Sequence, residues 1–205
     1  MFMATITMPE FAPCCMTQAR RFHRVISAGL VYGLLLVCSI SQAAEFSIDS
    51  ANTYLNQGVY NLNTDIHYEL SEEILEALGK GIPITFQLLI EIEQPRRYMW
   101  NEHVTSRTQR TVLLFHALSE QYLVKNMASG EQQSFRLLNS ALKAIGEIRN
   151  VPLLAEGSLE KGVDYQVRLR SEIDINALPA PLRPVAWVSD GWKLATEWFI
   201  CPLRS

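Results

Sequence analysis

The residues of this chain that could do chemistry are few and far apart. His67, His103 and His116 follow an N-terminal segment that holds the remaining histidine, and none lies at helical or CxxC-like spacing from another metal ligand. Zinc sites need clustered His and Cys, and calcium loops need closely spaced acids; neither pattern occurs, so no metal is expected. His67 falls on the polar side of an alternating segment. His116 shares a face with Val112, Leu114 and Leu118 and reads as a hydrogen-bonded core histidine. Glu91 and Glu93, two apart, share one strand face and read as solubilising acids on a solvated surface. No GxSxG nucleophile elbow occurs. Gly79-Lys80-Gly81 lacks both the upstream glycine and the Lys-Ser/Thr ending of a phosphate loop, so it reads as a helix stop. No catalytic constellation and no cofactor site are expected, which points to a non-enzymatic protein.

Binding residues are easier to find. The stretch QPRRYMWNEH, Gln94 to His103, puts Arg96, Arg97, Tyr98 and Trp100 directly after a strongly periodic segment. Arginine and tryptophan supply much of the energy of desolvated interfaces. The bland alternative is a tryptophan folded over the core edge, with the arginines as a soluble rim. Arg96, Arg97 and Trp100, with Trp192 nearer the C-terminus, are the candidate partner contacts. The segment Leu178-Pro179-Ala180-Pro181-Leu182-Arg183-Pro184 carries three prolines, which deny it strand hydrogen bonds. It reads as a connector over the surface or along an edge, with a partner's ligand as the alternative.

The elements that would position these residues show mainly as period-two alternation. Tyr60, Leu62, Thr64, Ile66, Tyr68 and Leu70 alternate with polar residues. So do Ile84 to Ile92, and Val163 to Leu169. Phe46 and Ile48 open another strand, with Asn56-Gln57-Gly58 turning the chain into the next. Thr111 to Leu118 is apolar on both faces and is expected inside a sheet. Tyr122 to Asn126 should form a hairpin with the residues after Gly130, and Glu160-Lys161-Gly162 a tight turn. Trp192, Leu194, Thr196 and Trp198 predict a closing strand. A short helix is predicted after Ser71, with Glu72 and Glu73 in its first turn, Ile74, Leu75 and Leu78 buried, and a stop at Gly79. A second runs from near Ser134, with Leu138, Ala141, Leu142 and Ile145 on its apolar face, to Gly146. The sum is a mainly β chain: an antiparallel β-sandwich, immunoglobulin-like or similar, with two short helices in its connections. A partly open barrel is the alternative.

The N-terminal segment sets the expected compartment. Arg20, Arg21 and Arg24 precede a run without charge from Val25 to Ile40, followed by Ser41, Ala43 and the acid Glu45. Basic end, apolar middle and small-x-small order is what a signal peptidase reads. The run is shorter than the roughly 20 apolar residues that span a bilayer as helix. A signal peptide over 1–43, cut after Ala43, is expected, with an uncleaved inner-membrane anchor as the alternative. Val37 is too bulky to precede a lipidated Cys38, and His23 and Arg24 do not suit twin-arginine export. Met16 begins a more ordinary leader than Met1. Residues 44–205 then form one domain. The whole chain carries a net charge of −3, and losing Arg20, Arg21, Arg24 and Glu10 makes the remainder more acidic by two. Such a balance argues against nucleic acid, which needs a clustered basic face. Cys14, Cys15 and Cys38 leave with the leader. Cys201 then stands alone, either as a buried thiol or as a site of intermolecular pairing.

Over most of residues 44–205 the segments FSIDSANTYLNQGVYNLNTDIHYELSEEILEALGKGIPITFQLLIEI, RRYMWNEH, LLFHALSEQYLV and LPAPLRPVAWVSDGW resemble a bacterial exported family, domain of unknown function 4390. The resemblance implies a protein exported by proteobacteria, with no assigned catalytic activity, from gene neighbourhoods that include a membrane sensor kinase. It carries over no active-site residues. The expected function is therefore a periplasmic binding or accessory module for an envelope protein, possible sensor kinases included, that meets the membrane only through an uncleaved leader. A carrier for a small apolar or lipid-like ligand, suggested by Thr111–Leu118, is the second reading. An unrecognised hydrolase is the third.

Overall fold

The computed structural model describes residues 45–203, except Lys161. The leader, with its expected cleavage site at Ala43, and the middle of the predicted Glu160-Lys161-Gly162 turn lie outside the described residues. Among the described residues nine strands form two antiparallel sheets. The smaller has the order β1-β2-β7, from Phe46–Asn56, Val59–Tyr68 and Glu147–Ala155. The larger has the order β6-β5-β4-β3-β8-β9. Its strands are β3 (Ile84–Gln94), β4 (Glu102–His116), β5 (Gln121–Asn126), β6 (Gln132–Phe135), β8 (Gln166–Ile173) and β9 (Phe199–Pro202). Three short helices among the described residues, α1 (Glu72–Gly79), α2 (Leu138–Gly146) and α3 (Arg183–Val188), lie in the connections. No helix among the described residues is long and apolar enough to cross a membrane. The architecture is a β-sandwich and not a closed barrel.

Alternation does the main work of folding. On β2, Tyr60, Leu62, Thr64, Ile66 and Tyr68 are all buried, facing the larger sheet. Phe86, Leu88, Ile90 and Ile92 of β3 and Val167, Leu169, Ser171 and Ile173 of β8 answer them from the other side. Tyr68 and Phe46 pack edge-to-face at 4.8 Å, and Tyr68 and Phe86 at 4.9 Å. The Tyr68 hydroxyl shares a 2.8 Å hydrogen bond with Ser171 Oγ. Burial pushes its pKa up to about 12, against the lowering effect of that hydrogen bond. The β1–β2 turn uses Gln57 at φ 50° and Gly58 at φ 74°. Positive φ at both central residues is the two-residue geometry whose twist matches its flanking strands.

α1 follows the sequence closely. Ser71 Oγ accepts from Ile74 N at 3.3 Å and also donates to Gly191 O at 2.7 Å, which ties the helix start to the C-terminal segment. At its other end Gly81, at φ 78°, donates to Leu78 O and Ile82 to Ala77 O. These two bonds satisfy carbonyls the helix would leave open, so Gly79-Lys80-Gly81 is a helix stop as read from the sequence. Leu75, however, turns away from the core and is partly exposed.

Several elements differ from the sequence reading. α2 starts at Leu138, because Ser134 belongs to β6 and pairs with Leu123. β8 starts at Gln166, so Val163 and Tyr165 precede it. The predicted closing strand forms only from Phe199. Asp190–Trp192 is a 3-10 turn, and Ala195 makes a single bridge to Glu172. The proline-rich connector runs into α3, with Pro184 near the helix start where a missing N–H costs nothing. Thr111–Leu118 does lie in an interior strand up to His116. Only Leu113 is fully buried there, while His116 and Leu118 are exposed.

Candidate functional site

The β3–β4 hairpin carries the predicted contact residues at its tip, Pro95–Asn101. Tyr98, Met99 and Trp100 are 88%, 68% and 94% exposed. Arg96 pairs with Glu102 across the base of the loop, and the Arg97 guanidinium lies 5.7 Å from the Tyr98 ring centre. The structure thus brings Arg96, Arg97 and Trp100 onto one loop. Trp100 does not fold over the core edge. Trp192 is a correction. It is 6% exposed, within the core, and belongs to a different part of the fold. Its indole serves packing and offers no surface to a partner.

The loop stands on a rigid base. Glu93, at the loop-proximal end of β3, is buried, so it is not a solubilising acid. Arg168 Nη1 donates to its Oε1 at 2.7 Å, Asn101 Nδ2 to its Oε2 at 3.0 Å, and Gln166 Nε2 to Oε2 at 3.5 Å. Burial acts to raise the carboxyl pKa. The hydrogen bonds from Asn101, Arg168 and Gln166, with the Arg168 charge, outweigh it and hold the value below the ordinary 4.5. Arg168 also approaches Glu91 at 3.6 Å and sits 4.4 Å from the Trp198 ring centre. Since Asn101 closes the loop, its bond to Glu93 ties the tip to three strands: β3, its partner β4 and β8. Sequence reasoning missed this network because Glu93, Arg168 and Trp198 are remote in sequence. The pairing Glu91↔Arg168 in the β3–β8 register is what brings them together.

A groove of about 780 Å³ lies on the outer side of β2, between α1 and α2. Leu70, Leu75, Leu138 and Leu142 make its apolar wall; Asp49, Asp65, His67, Glu69, Lys143 and Glu147 make its polar one. Hydrogen bonds from Arg149 and Ser50 hold the Asp65 carboxyl below its ordinary range. Among the described residues there is no group of three or more His, Cys, Asp or Glu placed to hold a metal ion. His116 makes a local turn instead of entering the core. Its Nδ1 accepts from Ser119 N at 3.3 Å and lies 2.9 Å from Ser119 Oγ. The Cys201 thiol is buried beside β8, and desolvation pushes its pKa up to about 11.

No curated protein and no solved structure matches the chain. A protein-family comparison matches residues 43–201, nearly the whole sandwich, to the family described as Domain of unknown function (DUF4390). On that match the chain belongs to the DUF4390 family.

Proposed function

We propose that this protein is a non-enzymatic binding module of the bacterial envelope, and that the tip of the β3–β4 hairpin is its contact surface for a protein partner. One observation carries the reading: three consecutive large apolar residues, Tyr98, Met99 and Trp100, stand exposed directly after two arginines, Arg96 and Arg97, on a loop fixed at its base. Tyr, Trp, Met and Arg are the residue types enriched in the cores of interfaces. A pre-ordered loop loses less entropy on docking than a floppy one, and the Glu93–Asn101 bond supplies that order. The envelope location rests on the leader pattern of Arg20 to Glu45. A membrane sensor kinase is the partner suggested by the family's gene neighbourhoods.

The test is crosslinking in intact envelopes, followed by recovery of native protein, Arg97→Glu and Trp100→Ala. A crosslinked partner band should be present with the native chain and be reduced roughly tenfold or more in each variant, as expected for an interface hot spot. Equal recovery from all three would remove this loop as the contact surface.

The groove beside β2 favours a second reading, a carrier for a small apolar or lipid-like ligand, through its four leucines. Native mass spectrometry of protein taken from its own compartment separates the two. A bare polypeptide mass counts against the carrier.

A further inference from the structure

We infer that the open edge of β4 takes up an extended segment of the partner protein as an added strand. The inference deepens the proposed function and rests on it for the existence of a protein partner. β4 is 15 residues long and pairs with β3 from Glu102 to Leu113, but with β5 only from Thr111 onward. β5 ends at Asn126, and there the chain turns back to form β6. Along residues 102–110, therefore, one side of β4 has no strand beside it among the described residues.

The ladder fixes which backbone groups face that side. Arg110 O accepts from Met127 N at 2.9 Å, so Arg110 faces the β5 side. In an antiparallel strand the N–H and C=O of one residue point the same way, and alternate residues share that direction. Ser106 and Thr108 thus present both groups, and Arg110 its N–H, to the open side. Thr105, Arg107 and Gln109 face β3. Among the described residues no hydrogen bond reaches the main-chain groups of Ser106 and Thr108 from the open side. These donors and acceptors recur every second residue, about 7 Å apart. An extended polypeptide carries the same repeat with opposite partial charges, and that complementarity names the occupant.

Other edges are guarded. β6 and β9 are short; β7 has Pro152, a positive φ at Asn150 and two register shifts against β2. β1 lies against β9, where Thr53 Oγ1 donates to Pro202 O at 3.0 Å. On β4 a register shift disturbs the ladder near Val104 and leaves residues 105–110 regular, with no proline or glycine. Arg107, an inward charge of the kind that guards edges, is held by the Pro152 carbonyl. The Trp100 loop lies at one end of the run and Met127, 53% exposed, at the other. Beside Gln109 a cleft of about 250 Å³, bounded by Asn126, Glu131 and Arg149, has room for a side chain of the added strand. Charge along the edge is close to balanced. Arg96 is matched by Glu102, Arg110 by Asp174, Arg149 by Asp65, and Arg168 by both Glu91 and Glu93. Arg97, Arg107, Lys125 and Glu131 have no ion-pair partner among the described residues. Recognition therefore falls to the backbone, and the added strand needs no net charge.

The test selects binders to the native protein from a phage-displayed library of random peptides, and uses a synthetic copy of the most enriched one as the probe. Read by NMR, the peptide should slow amide hydrogen exchange at Ser106, Thr108 and Arg110. Arg107 and Gln109, already bonded to β3, should stay as they were. Thr108→Pro removes one edge-facing N–H and no bond to β3, a change that edge strands tolerate. It should lower peptide affinity roughly tenfold, the upper end of the range for one hydrogen bond. Thr108→Ala keeps the N–H and should bind as native. The exchange pattern on native protein needs no variant, so it decides even where proline unsettles β4. A library without binders, or a footprint that misses Ser106 and Thr108, would overturn the proposal. So would equal affinity in native and Thr108→Pro, or equal losses in Thr108→Pro and Thr108→Ala. Protection of these amides that rises with protein concentration alone would make the occupant a second copy and overturn it too. Envelope crosslinking of Thr108→Pro beside Trp100→Ala keeps the two readings apart. Loss in Trp100→Ala alone retains the loop and removes the edge; loss in Thr108→Pro alone does the reverse.

Discussion

Arg168 binds Glu93 at 2.7 Å while its guanidinium covers the Trp198 ring at 4.4 Å, so one cation serves both a buried carboxylate and an aromatic face. The pair lies under the loop that carries Trp100, and its loss should be felt both in stability and in loop order.

Glu93→Gln keeps the shape but removes the charge that holds Arg168. It should cost about 1–3 kcal/mol at neutral pH by urea titration, the range for hydrogen bonds to charged groups. The native carboxyl titrates below its ordinary 4.5. Its stabilisation is therefore complete above the unfolded-state value and is lost as pH falls through the lower folded-state value. Native stability should drop on acidification below that 4.5, and the drop should be shallower in Glu93→Gln.

Two glycines should respond differently to alanine. A Cβ on Gly146 would sit 2.0 Å from the backbone oxygen of Ile66, which is fixed in β2. Gly146→Ala must push α2 off the sheet and should cost about 1–3 kcal/mol or more. A Cβ on Gly191 would have the Glu73 carboxylate as its nearest neighbour, at 2.4 Å, and that exposed side chain can swing aside. Gly191→Ala should stay within about 1 kcal/mol of native. Thermal unfolding of both variants decides it.

The two tryptophans proposed as contacts from sequence should also separate. Trp192→Ala removes a buried indole and should cost about 3–5 kcal/mol. Trp100→Ala removes a solvated one and should shift stability by no more than about 0.5 kcal/mol. Parallel denaturant titrations would show it, and a large loss in Trp100→Ala would mean that the loop packs on the body.

Cys201 should resist alkylation. With its pKa raised to about 11, only about one thiol in a thousand is thiolate at pH 8, and burial blocks access as well. Iodoacetamide should label the protein in denaturant and leave the folded form unlabelled over the same time.

Where a strand is long and has one wet face, its pattern was legible before any coordinates. β2 and β3 show this, as does α1, whose Ser71 cap and glycine stop are both local signals. β7 escaped notice because Asn150 takes a positive φ of 55°, Pro152 interrupts the run, and the register against β2 shifts twice. Alternation cannot survive such a bulge. α3 hid behind prolines that read as a connector, although proline is welcome in a first helical turn. Trp192 looked like a contact because a sequence does not say which indoles are covered. The loop residues Arg96, Arg97 and Trp100 were found by type and by adjacency to β3. Their anchor was not, since it depends on which strand becomes the neighbour.

Both rims of the larger sheet, β6 and β9, are only four residues long. An open rim is a template onto which a stray strand can zip, and a short one offers too few rungs to hold it. Zipping of copies together through the rims of the larger sheet is thereby discouraged.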